Sequence, residues 1–84
     1  MEVLMSEKIL NSVIAAIAKQ KHIDPGVISI GSLLDELGVT SLDAITIVFE
    51  IEEEFDIEVP GDLLESLKSV RDIVDGIAEL TDTA

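Results

Sequence analysis

The chain has no cysteine, tryptophan or tyrosine, and its 84 residues include only two prolines, two phenylalanines, one histidine and five cationic side chains. Without cysteine there is no disulfide, no thiolate nucleophile and no cysteine-based metal site, so any thiol chemistry must use a thiol supplied from outside. With Phe49 and Phe55 as the whole aromatic content, the core has to be built from Ile, Leu and Val branches within a hydrophobic fraction of 48%. The longest unbroken apolar run, Val13 to Ala18, is far too short for a bilayer, which takes about 20 residues. Met1 to Ser6 has no basic residue of the kind that opens a signal peptide. No membrane insertion and a cytoplasmic location are expected. His22, alone in a polar loop, is expected to be solvated, and the Asp-x-Asp-x-Asp-Gly spacing of a calcium loop is missing, so no metal site is expected.

What the chain has in excess is negative charge. The net charge of −13 would repel nucleic acid and anionic membrane before contact. Lys8, Lys19, Lys21, Lys68 and Arg71 are its only cations, and none lies between His22 and Leu67. That stretch carries Asp24, Asp35, Glu36, Asp43, Glu50, Glu52, Glu53, Glu54, Asp56, Glu58, Asp62 and Glu65. So one-sided a distribution points to a docking surface for basic proteins rather than to a merely solubilising one.

Length allows one domain, 1–84, with 1–5 and 81–84 expected to fray; a chain this short buries only about 60–65% of its unfolded surface. Ile9, Val13 and Ile17 recur at helical spacing with Leu10 and Ile14 beside them, predicting a first helix from Ser6, its expected N-cap, to about Gln20. His22-Ile23-Asp24-Pro25-Gly26 ends it. Val27 to Val39 reads as a long ordered loop pinned by its apolar residues, with a helical turn at Ser32 to Leu37. A second helix is predicted from Thr40 or Ser41 to Phe55, with Thr40-x-x-Asp43 as a capping-box variant. At about 100° per residue, Asp43, Thr46, Glu50, Glu53 and Glu54 share one arc, and the rest of the circumference is mostly apolar, predicting a central helix whose only wet strip is acidic. Pro60 suits the start of a short third helix through Leu67, with a strand at Asp56 to Val59 as the weaker alternative. Ser69-x-x-Asp72 opens a last helix with Val70, Ile73, Val74, Ile77 and Leu80 inward. The expected fold is a small all-α bundle of three main helices plus one short helix, with a long first loop.

Ser41, before a helix, is by itself more often a cap than a reactive group. Its setting is more specific: Leu37-Gly38-x-x-Ser41-Leu42-Asp43, then Glu52-Glu53-Glu54-Phe55 and Val59-Pro60, resembles the acyl carrier proteins over nearly the whole chain. Gly38 would allow a tight approach, and a helix N-terminus is a favourable place for a phosphate. The resemblance implies that Ser41 takes 4'-phosphopantetheine from coenzyme A through a phosphopantetheinyl transferase. The arm's thiol then holds acyl groups as thioesters for acyl-transferring and condensing enzymes of fatty-acid, polyketide or related lipid synthesis. It also implies a non-enzymatic protein, expected to be monomeric. Thr40, Leu42, Asp43, Thr46, Glu50, Glu53 and Glu54 become the candidates for docking to basic patches on partners. Ile45, Phe49, Ile51, Val59 and Leu67 become candidates for an acyl pocket.

Two residues depart from the family pattern. Thr40 stands where an acid usually precedes the serine, and Thr46 where an acid is usual one turn later, which favours a specialised pathway. Two other readings compete: a peptidyl or aminoacyl carrier of the same fold, and an unmodified acidic adaptor in which Ser41 only caps. A glycosidase-type acid pair has no cleft to sit in on a chain of this size.

Overall fold

The computed structural model describes residues 2–82, with side chains from Glu7 to Thr81. Helix α1 (Glu2–Lys21) is followed by a 3-10 turn at Pro25–Val27, then α2 (Ser41–Phe55), α3 (Gly61–Glu65) and α4 (Val70–Asp82). The all-α bundle with a long first connection is therefore what forms. Ser6 is not a cap, because α1 begins four residues earlier; Glu2, Leu4 and Met5 are good helix formers, so extending the helix through them costs little. The expected fraying of 1–5 and 81–84 falls partly on residues 1, 83 and 84, which lie outside the described residues, while Glu2–Met5 and Thr81–Asp82 are helical.

One device ends three segments. His22, Gly38 and Asp56 each take a left-handed backbone, with φ of 58°, 78° and 56°. The residue after each sends its N–H back five positions: Ile23 to Ala18 at 3.1 Å, Val39 to Leu34 at 2.9 Å and Ile57 to Glu52 at 3.1 Å. These are Schellman-type closures, and the returning residue is in each case a β-branched side chain packed on or in the core. His22, not Pro25, thus terminates α1. Gly38 serves a conformation rather than a close approach, since a Cβ there would meet only Lys21 Cε, at an ordinary 3.7 Å. Gly38→Ala is accordingly expected to lower stability by about 1–2 kcal/mol through backbone strain alone, measurable by urea unfolding; an unchanged midpoint would show that the turn relaxes freely.

The long loop is ordered by α4. Val70 and Arg71, whose N–H groups lie in the first turn of α4 and have no intrahelical acceptor, donate to Ser32 O and Ile30 O at 3.0 Å each, and Leu34 N donates to Lys68 O at 2.9 Å. Among the described residues the only β-type pairing is the Leu33–Ser69 bridge within this seam, so the strand considered at Asp56 to Val59 does not form. The helical turn expected at Ser32 to Leu37 is a single turn, closed by Leu37 N on Leu33 O at 3.2 Å.

The core is aliphatic throughout: Ile9, Val13 and Ile17 of α1, Ile47 and Ile51 of α2, Val70, Ile73 and Ile77 of α4, and Ile28, Leu34 and Val39 from the loop. Phe55 only leans on it. Helix α1 packs against both α2 and α4, which leaves α2 covered on one side only. Its exposed strip is therefore wider than the acidic arc and includes Leu42, Ile45 and Phe49, at 77%, 49% and 65% exposure. That corrects the expectation of a central helix whose only wet strip is acidic. Leu80, expected inward, is half-buried near the end of α4.

Candidate functional site

Thr40 caps α2. Its side chain accepts from Asp43 N at 3.2 Å, and Asp43 Oδ2 accepts from Thr40 N at 3.1 Å, a reciprocal capping box. The same device opens α4: Ser69 Oγ accepts from Asp72 N at 3.2 Å, and Asp72 Oδ2 accepts from Ser69 N at 3.2 Å and Lys68 N at 2.9 Å. Because Thr40 supplies the cap, Ser41 is not needed for one. It is the first residue of α2, it is exposed, and among the described residues its hydroxyl has no hydrogen-bond partner. In that it stands alone among the serines with described side chains. Ser12 donates to Glu54, Ser29 and Ser32 pair with each other, Ser66 donates to Leu63 O, and Ser69 is the α4 cap.

Ser41 opens onto a groove of about 970 Å³ lined by Leu33, Leu34 and Val39 from the loop, Ala44 and Ile45 from α2, and Leu64 and Leu67 at and beyond α3. Asp35, Glu65 and Lys68 supply charge along it. Of the five pocket candidates the structure brings Ile45 and Leu67 to this groove. Ile51 is fully buried in the core, Val59 packs against the core away from the groove, and Phe49 lies on the open face of α2. The loop and α3 residues were not legible as lining because they follow no helical period; only their apolar character hinted that they face inward.

The docking candidates separate as well. Lys21 Nζ donates to Asp43 Oδ2 at 2.8 Å and Gln20 Nε2 to Oδ1 at 3.2 Å, tying the end of α1 to the start of α2. Glu50 pairs loosely with Lys19 at 3.5 Å, and Glu54 accepts from Ser12 at 2.9 Å. Thr46 turns its hydroxyl back on Leu42 O at 3.2 Å. Glu53 is exposed and, among the described residues, has no such partner. Glu52, in the acidic run, is structural: its Oε2 accepts from Val59 N at 2.6 Å and anchors the connection to α3.

The Lys21 ammonium, together with the Thr40 and Gln20 donors, holds the Asp43 carboxyl well below the usual carboxylate range. Its folded pKa lies under the unfolded value of about 3.9, so its contribution to stability is complete above that pH and is lost as pH falls further. The overall charge works the other way, since neutralising carboxylates relieves self-repulsion. Stability at low salt is therefore expected to rise from pH 7 to a maximum at about pH 4–5 and then fall. Asp43→Asn should be less stable than the parent at pH 7 and decline less steeply in acid. Thermal melts across this range check both; a parent that keeps gaining stability down to pH 3 would mean that the Asp43 pairing contributes nothing.

Among the described residues no helix is long and apolar enough to cross a membrane, and no group of acidic or histidine side chains is placed to hold a metal ion.

The phosphopantetheine attachment site family matches residues 11–77. The acyl carrier protein of Thermosynechococcus vestitus is 38% identical over 71 residues, 83% of this chain and 88% of that protein. That of Syntrophobacter fumaroxidans is 37% identical over 68 residues, 80% and 84% of the two chains. The crystal structure of an acyl carrier protein from Thermotoga maritima superposes with a TM-score of 0.84 over 94% of this chain and 93% of that one, at 19% identity, a likeness of fold.

Proposed function

The chain belongs to the acyl carrier proteins, non-catalytic carriers that bear 4'-phosphopantetheine, and on that premise we propose that Ser41 is the attachment residue. The observation that carries this is the hydroxyl itself: exposed at the first position of α2, free of any hydrogen bond to the described residues, beside an apolar groove, with the capping duty taken by Thr40. The residues present fit the arm. Ser41 is exposed, and the groove beside it is large and apolar enough to receive part of an acyl chain.

In the attachment step the Ser41 oxygen bonds to the phosphorus of coenzyme A that bears the pantetheine, and 3',5'-adenosine bisphosphate leaves. The hydroxyl proton must go to a base. Among the described residues no histidine or carboxylate hydrogen-bonds Ser41, which supports a base supplied by the transferase, in keeping with a protein that is acted on. Once attached, the arm would supply the terminal thiol that the chain lacks, the group on which an acyl cargo would be carried. Residues Ile45 and Leu67 would line the shelter for such a group, and Leu42 and Glu53 would meet partners.

The partners proposed are a phosphopantetheinyl transferase and, in the cytoplasm, acyl-transferring and condensing enzymes of fatty-acid, polyketide or related lipid synthesis. Thr40 and Thr46, each occupying its hydroxyl in a hydrogen bond to the backbone of α2, favour a specialised pathway over a general one. Incubation with coenzyme A, magnesium and a broad-specificity transferase, read by intact mass, tests the proposal. One added phosphopantetheinyl group, located on the peptide containing Ser41, is expected; no addition with several transferases would overturn it.

A further inference from the structure

The carboxylates that α2 directs toward partners, Glu53 excepted, each have a counterpart on α1. The pairs run antiparallel: Ser12 with Glu54, Lys19 with Glu50, Lys21 with Asp43. They are not equivalent. Ser12 is a neutral donor and leaves the charge of Glu54 in place. Lys19 and Glu50 sit 3.5 Å apart with side chains 80% and 38% exposed, a loose pair that an incoming cation exchanges readily. Lys21 and Asp43 are 2.8 Å apart with side chains only 27% and 17% exposed. Asp43 also accepts from Gln20 on one oxygen and from Thr40 N on the other. Three donors already occupy a group with about four acceptor positions, and one of them cancels its charge.

Position makes this matter. Asp43 is the only carboxylate between Ser41 and Phe49. With it engaged, what α2 exposes over those residues is Ser41, Leu42, Ile45, Thr46 and Phe49, which carry no charge. A cationic side chain brought by a partner to this stretch finds no available anion on α2 itself and loses hydration there without recompense; the exposed carboxylates on the groove beside Ser41 are Asp35 and Glu65. At the far end of the helix Glu53 is exposed and available.

We infer that Lys21 determines partner choice by withholding Asp43, so that along the first half of α2 this carrier fits a protein surface that is apolar, with its cations confined to the groove side, opposite Asp35 and Glu65, and to the end of α2 opposite Glu53. This rests on Ser41 being the attachment residue. A partner whose basic patch lies over the first half of α2 is disfavoured, and Lys21 is the residue that makes it so.

The test compares the parent, Lys21→Gln, Lys21→Arg and Lys21→Gln/Asp43→Asn as substrates of a phosphopantetheinyl transferase whose docking surface is basic, across a salt series. Lys21→Gln should raise kcat/KM at low salt by about 2- to 5-fold, through KM, and steepen its salt dependence. Lys21→Arg should match the parent, and the double variant should lose the gain. Lys21→Gln that is modified on Ser41 at the parental rate with the parental salt slope overturns the inference while leaving the attachment reading intact. Absence of modification in every protein, the parent included, overturns both. A second measurement does not depend on how the variants fold: the side-chain carboxyl carbon resonance of Asp43 in the parent should stay in place when the transferase is added, while that of Glu53 shifts. Movement of both would show Asp43 to be available and end the proposal.

Discussion

Ser41→Ala is expected to abolish attachment of the phosphopantetheine arm entirely while leaving the fold as it is. The substitution removes the oxygen proposed to form the bond, and no other described serine has an uncommitted hydroxyl to take its place. Stability should stay within about 0.5 kcal/mol of the parent, because the position is exposed, the lost hydroxyl has no partner, and alanine is a better helix former than serine. Thr40 continues to cap. Intact mass after exhaustive incubation with coenzyme A and transferase reads the first expectation, and thermal unfolding reads the second. A variant that still gains the group would move the attachment site elsewhere in the chain. One that fails to fold would give Ser41 a structural duty that its surroundings do not suggest.

The other large effect separates two residues that sequence pattern treats alike. Ile51 and Phe49 both lie among the apolar positions of α2, yet Ile51 is 1% exposed in the core and Phe49 stands in solvent. Ile51→Ala should lower stability by about 2–5 kcal/mol, the transfer of three methyl-sized groups plus the cavity left behind. For an 84-residue domain with a total of only about 5–10 kcal/mol, that is enough to leave a substantial unfolded population at 37 °C. Phe49→Ala should change stability by less than about 0.5 kcal/mol and instead weaken encounters with partner enzymes, where an exposed aromatic anchor is the kind of group that carries binding energy. Urea unfolding of the two variants, set beside their rates of cofactor transfer, makes the comparison. Equal destabilisation by both would mean that α2 is covered in solution on the side the structure leaves open.

Much of this was readable in the chain before folding. The helix periods, the Thr40–Asp43 and Ser69–Asp72 capping boxes, the aliphatic core and the segment around Ser41 are all local patterns, and capping chemistry acts over three or four residues whatever the rest of the molecule does. The left-handed turns at His22 and Asp56 were less legible, because neither residue is a glycine and each conformation is held by the β-branched residue after it reaching the core.

What the sequence by itself determined, then, was the set of elements, their starts with the exception of α1, and the serine placed at the mouth of an acidic helix. Which side of α2 meets water was decided only by packing: α1 covers one face and nothing comparable covers the other, so an apolar strip stays exposed that periodicity would have buried. Packing also turned a loop into a wall of the groove, through three hydrogen bonds to the start of α4, and it brought Lys21 against Asp43 across 22 positions of chain. Such contacts join residues distant in sequence, and their energies depend on distances that no local pattern encodes; that is why the charge beside Ser41 could be counted from the residues, but its availability could be known only from the fold.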